Sequence, residues 1–84
     1  MFTIKQMEAL YWVSTLQGFE AAARHLNVSQ SAVSKRIQEI EVRFAQPLFD
    51  RTGRQAVLTT QGNDILEIAR KFLDLNEELM SRAR

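Results

Sequence analysis

Residues 27–37, NVSQSAVSKRI, decide the fold. The stretch holds no acidic residue and carries two adjacent cations, Lys35 and Arg36, near its end. Val33 and Ile37 stand four apart, so they share one side of a helix. Ile40 and Phe44 extend that apolar stripe. The opposite side carries Gln30, Ser31, Ser34 and Lys35, where a helix buried all round would carry leucines. Ser29 can cap this helix, its hydroxyl accepting from backbone amides near Ala32. Asn27, which tolerates a left-handed conformation, makes the turn before it. Upstream, FEAAARHL at residues 19–26 reads as a short helix whose Ala22 and Ala23 let another helix approach closely.

Two helices joined by a tight turn, the second small and polar outside, form a helix-turn-helix. Such a second helix enters a DNA major groove about 12 Å wide and meets base edges at short range, so bulky outward side chains would hold it off. Gln30 can pair bidentately with adenine, and Lys35 can reach guanine O6/N7 or a phosphate. Ser31 and Ser34 can hydrogen-bond at close approach. Arg24 and Arg36 suit phosphates, which position a domain without reading sequence, and Ser29 joins them beyond its role as a cap.

Working outward, Thr3 can cap a first helix in which Ile4, Met7, Leu10, Tyr11 and Ser14 step by three and four, with Trp12 and Val13 widening the stripe. Gly18 is expected to end it through its free φ. Downstream, Pro47 is expected to stop the helix begun at Gln30. Residues 48–58, LFDRTGRQAVL, place β-leaning residues on either side of a Thr52-Gly53 turn signal and predict a two-stranded hairpin. Thr59 or Thr60 caps a last helix that runs to the end, with Asp64 and Glu67 early and Arg82 and Arg84 late, as the helix dipole favours. The expected fold is mainly α: a three-helix core plus a two-stranded wing over residues 1–58, then a long helix over 59–84.

The net charge of +1 over 84 residues hides segregation. Residues 21–38 and 51–63 contain no acid but hold Arg24, Lys35, Arg36, Arg51 and Arg54. Basic patches on a near-neutral chain suit a polyanion bound on one face, although an ordinary solvated face gives the same pattern. There is no cysteine and one histidine, which points away from a disulfide framework and from a metal site. The N-terminus shows no secretory pattern, and no apolar run spans a bilayer, so a soluble, cytoplasmic chain is expected.

FEAAARHLNVSQSAVSKRIQEIE followed by PLFDRTGRQAVLTTQG resembles the DNA-binding domain of LysR-type transcriptional regulators, from Ile4 through the last helix. The resemblance implies a winged helix-turn-helix whose wing lies in the minor groove beside the recognition helix. It makes Arg51 and Arg54 the wing contacts, and arginine there favours narrow, A/T-rich grooves. It also implies that the last helix pairs antiparallel with its twin. From Ile65, apolar residues recur at Ile68, Phe72, Leu75 and Leu79, with Leu66, Leu73 and Met80 as a second stripe. On spacing alone this helix could pack on its own domain or form a seam with a partner. A homodimer would read a pseudo-palindromic, A/T-rich operator. Family members continue into an effector-sensing domain, so this portion is expected to bind no small molecule or cofactor. Two positions depart from the family pattern: Ser31 stands where proline is frequent, and Glu20 where a hydroxyl residue is frequent.

A winged helix can serve as a protein-docking module, with the amphipathic last helix as its contact. Catalysis is disfavoured, because Ser29, Ser31 and Ser34 have no basic partner arranged beside them. His25 has no second ligand and suits a surface polar contact or a place near a phosphate. Tyr11 and Trp12 could stack single-stranded bases, but their place in an apolar stripe fits the core or a dimer interface better.

Overall fold

The computed structural model describes residues 1–83, so Arg84 and its expected place in the last turn lie outside the described residues. In chain order the elements are α1 (Ile4–Leu16), α2 (Phe19–Leu26), α3 (Gln30–Phe44), β1 (Phe49–Asp50), β2 (Val57–Leu58) and α4 (Thr60–Arg82). The mainly α, winged helix-turn-helix expectation holds.

Helix α1 starts on a reciprocal cap. The Gln6 amide donates to Thr3 Oγ1 (3.1 Å), and Gln6 Oε1 accepts from the Thr3 amide (2.9 Å). Gln6 Nε2 then donates to Glu39 Oε1 (3.1 Å), tying the start of α1 to α3. The end of α1 corrects the expectation for Gly18. Gln17, at φ 59°, takes the left-handed position, while Gly18 is extended and precedes α2. Helix α3 likewise ends before Pro47 is reached: Ala45 turns left-handed at φ 55°, directly after Phe44. The proline closes off continuation but does not make the stop.

Between α2 and α3 the expected turn forms. Asn27 has φ 59°, its amide donates to Arg24 O (3.2 Å), and the Val28 amide donates to Ala23 O (3.0 Å). These two bonds satisfy carbonyls that a helix end otherwise leaves open. Ser29 then caps α3, accepting from the Ala32 amide at 3.1 Å.

The core joins all three helices of the bundle. Leu10 and Val13 of α1, Ala22 of α2, and Val33, Ile37 and Ile40 of α3 are fully buried, and Phe44 packs at the edge of the cluster. Ala22 and Ala23 sit where α2 meets its neighbours, which explains their size. Leu48, Phe49 and Ala56 carry the core into the base of the wing. The wing is a short antiparallel pair, Phe49 opposite Leu58 and Asp50 opposite Val57, so residues 51–56 form a loop longer than the Thr52-Gly53 signal suggests. Its base is fastened at three points. The Leu48 amide donates to Glu41 Oε2 (2.8 Å), Thr59 Oγ1 donates to Pro47 O (2.9 Å), and the Ala56 amide donates to Gln17 O (3.2 Å).

Of the two candidate caps for α4, Thr59 is the one used, accepting from the Gly62 amide at 3.0 Å. Gly62 is there for close approach. A Cβ at this position would overlap the Leu48 carbonyl oxygen and lie 2.9 Å from Leu58 Cδ2. Beyond it, Leu66 and Ala69 are buried, and Ile65 and Leu73 are half-buried against α1, so the first half of α4 shares the core of residues 1–58.

Candidate nucleic-acid interface

One cleft of about 490 Å³ lies where the start of α2, the start of α3 and the wing loop converge. Among its lining residues are Glu20, Arg24, Gln30, Arg51 and Arg54. Four residues singled out from the sequence, drawn from three separate segments, therefore come together. Gln30 is exposed, but not because it stands opposite the buried stripe. At i, i+3 and i+7 it shares a side of α3 with Val33 and Ile37, and it is exposed because it is the first residue of the helix, at the end where the core stops.

The other recognition candidates continue along α3 outside the cleft lining. Ser31 and Lys35 are exposed, while Ser34 and Arg36 are half-buried. Ser29 Oγ lies 3.1 Å from Ser31 Oγ, so the cap hydroxyl and its neighbour form one polar cluster at the head of the helix. A groove-facing helix gains from such short side chains, because they permit approach without first being moved aside.

The two wing arginines are not equivalent. The Arg51 guanidinium stacks over the Phe19 ring at 3.9 Å from its centroid, and Phe19 meets Phe49 edge-to-face at 5.7 Å. Arg51 is thereby seated against the wall of the bundle. Arg54 is exposed on the loop beyond Gly53. The start of that loop is shaped by Asp50, whose Oδ1 accepts from the Thr52 amide (3.0 Å) and the Thr52 hydroxyl (2.7 Å). These bonds, the backbone one foremost, hold the exposed Asp50 carboxyl below its ordinary value of 3.8.

Sequence reasoning left two partners unassigned. Glu20, the second residue of α2, accepts from Arg24 Nη1 at 2.7 Å. Their i, i+4 spacing on a helix was the available signal. Because Gly18 holds the cap position, a hydroxyl at residue 20 would not be the α2 cap. Phe19 as a seat for Arg51 had no local signal, since the pair closes only when the wing folds back on α2. His25 is not an isolated surface group: its ring lies 3.7 Å from that of Trp12, joining the end of α2 to α1. Trp12 and Tyr11 are half-buried against the core.

Helix α4 presents a second surface. Ile68, Leu75 and Leu79 are 61%, 65% and 69% exposed, and Phe72 lies beside them. With Ile4 and Asn76, Phe72, Leu75 and Leu79 line a shallow apolar groove of about 290 Å³. Ile65, the first residue of the expected seam, is half-buried against its own core instead of standing fully outward.

Among the described residues, no group of His, Cys, Asp or Glu side chains is placed to hold a metal ion, and no helix is long and apolar enough to cross a membrane.

Comparison with known proteins agrees with this geometry. The chain is 42% identical over 77 residues to a probable RuBisCO transcriptional regulator of Nostoc sp., covering 92% of this chain and 23% of that protein. A similar regulator of Guillardia theta is 38% identical over the same length, covering 92% and 25%. The chain thus spans about a quarter of the length of the curated relatives it matches. Among solved structures, the CbnR DNA-binding domain in complex with DNA superposes with a TM-score of 0.88 at 30% identity, covering 98% of this chain and 94% of that one. Residues 4–63 match the family of bacterial regulatory helix-turn-helix proteins of the lysR type, and the chain belongs to that family.

Proposed function

We propose that this chain is the sequence-specific, double-stranded-DNA-binding part of a LysR-type transcriptional regulator and acts as a homodimer in the cytoplasm. The observation that carries the reading is the cleft in which Gln30, at the exposed head of α3, shares walls with Arg24, Arg51 and Arg54. A base-reading amide flanked by cations from two other segments suits a helix in the major groove with phosphates on either side. The likeness to the CbnR domain, which was solved on DNA, supports the same reading.

In this reading Gln30, Ser31, Ser34 and Lys35 meet base edges, while Arg24, Ser29 and Arg36 meet phosphates. Arg54 enters the adjacent minor groove, where a narrow A/T-rich tract concentrates negative potential. Arg51, fixed on Phe19, meets the backbone at the groove's rim. The exposed stripe of α4 supplies the dimer contact through Ile68, Phe72, Leu75 and Leu79, with Ile65 at its edge. Burying a leucine there contributes roughly 1.5–3 kcal/mol. Two domains related by a twofold then read an interrupted palindrome. The chain holds no role here for a cofactor or a bound small molecule.

Selection of binding sites from random duplexes tests the reading, followed by a salt series on the selected site. We expect two inverted half-sites at fixed spacing and affinity that falls linearly with salt on logarithmic axes. No enrichment, together with no duplex binding at low salt, would remove the DNA reading.

A further inference from the structure

Glu20 supplies the one carboxylate among the residues lining the cleft, and it is directed at a cation instead of at solvent alone. Its Oε1 lies 2.7 Å from Arg24 Nη1, while Arg51 is held by the Phe19 ring and Arg54 extends on the wing loop. We propose that Glu20 is a positioning residue that governs DNA-backbone engagement. By occupying Arg24, it withholds one cation from the phosphates until the duplex displaces it. This inference rests on the DNA-binding reading above.

An ion pair with both side chains about 70% exposed is weak, so a phosphate can open it. A closed pair has no net charge, so it releases no counterion from a passing duplex. And Arg24 lies on the same cleft as Gln30, so opening the pair is tied to seating α3 closely enough to use that side chain. The carboxylate therefore reduces the domain's cationic footprint by one until close docking occurs.

The experiment compares the full chain with its Glu20→Gln, Arg24→Ala and doubly substituted variants on a labelled random-sequence duplex over a range of salt. Glutamine keeps the side chain's length but frees the guanidinium. Glu20→Gln is expected to bind more tightly at low salt and to gain one phosphate contact per domain. It then loses about 3.5-fold more affinity per domain across a fourfold rise in salt. In the Arg24→Ala background the same change should do nothing, because the two groups act as one unit. A gain that survives there would mean that the carboxylate repels phosphate directly, and would overturn the proposal. So would a Glu20→Gln variant of unchanged salt slope, or one with lower affinity and a lower melting temperature, which marks Glu20 as a brace for α2 only. If the unmodified chain binds duplex with ordinary salt dependence and Glu20→Gln shows the same slope, this inference alone fails. If the unmodified chain binds no duplex, both readings fall.

Discussion

Helices α3 and α4 each bury one stripe and expose another, and the two exposed stripes are opposite in chemistry. On α3 the outward residues are Gln30, Ser31 and Lys35, short or flexible polar groups that water solvates well. On α4 they are Ile68, Phe72, Leu75 and Leu79. A polar face can wait in water for a hydrated polyanion and exchange one set of hydrogen bonds for another at modest net cost. A contiguous apolar face gains only when another apolar surface covers it. The first face thus suits a partner that comes and goes with salt, and the second suits one that stays.

The largest effect is expected at Leu75. In Leu75→Glu the outward stripe of α4 becomes incompatible with a twin, and sedimentation velocity should show monomer. Affinity for a two-half-site duplex should fall by about 10²–10⁴-fold, since the second domain no longer binds at high effective concentration. An unchanged sedimentation profile would remove α4 from the dimer contact. At Gln30 the expected effect is smaller and of another kind. Gln30→Ala should cost about 1–3 kcal/mol at one base position, relax specificity there and leave the oligomeric state untouched. Equal losses on every duplex sequence would make Gln30 a backbone contact.

The smallest effect concerns pH and the wing. The Thr52 amide and hydroxyl lower the folded-state value of the Asp50 carboxyl, so ionised Asp50 favours the folded loop. That contribution is fully present above the ordinary value of 3.8 and is lost as pH falls through the lower folded value. The Thr52 amide resonance should therefore shift below pH 3.8 and stay constant near neutrality. The change should stay confined to the wing, with the core resonances of Val33 and Ile37 unmoved.

What was legible in the sequence depended on how local its cause is. Thr3, Asn27 and Ser29 act within three or four residues, and each does what its chemistry predicts. The stripe of Val33, Ile37 and Ile40 is also local, because helical period alone sets it. Helix ends were less legible. Gln17 and Ala45 occupy left-handed positions that propensity would assign to glycine or asparagine, since packing on either side fixes where the chain must turn. The wing hairpin was legible because its strands pair within ten residues, whereas the seat of Arg51 on Phe19 lay furthest out of reach, because that contact spans some thirty residues of chain. Glu20 lay in between: its i, i+4 partner was visible, but the shared cleft with Gln30 and Arg54 was not.

Gly62 has a consequence for geometry at a distance. It lets the root of α4 press against the Leu48 carbonyl, so the axis of a 23-residue rod is fixed at its pivot by backbone and not by a flexible side chain. A rod of that length reaches about 34 Å, so a tilt of about 5° at the pivot would move its tip by about 3 Å, close to one base-pair step. In the homodimer proposed above, Gly62→Ala would therefore change the separation of the two α3 helices without altering any residue of the proposed DNA contact.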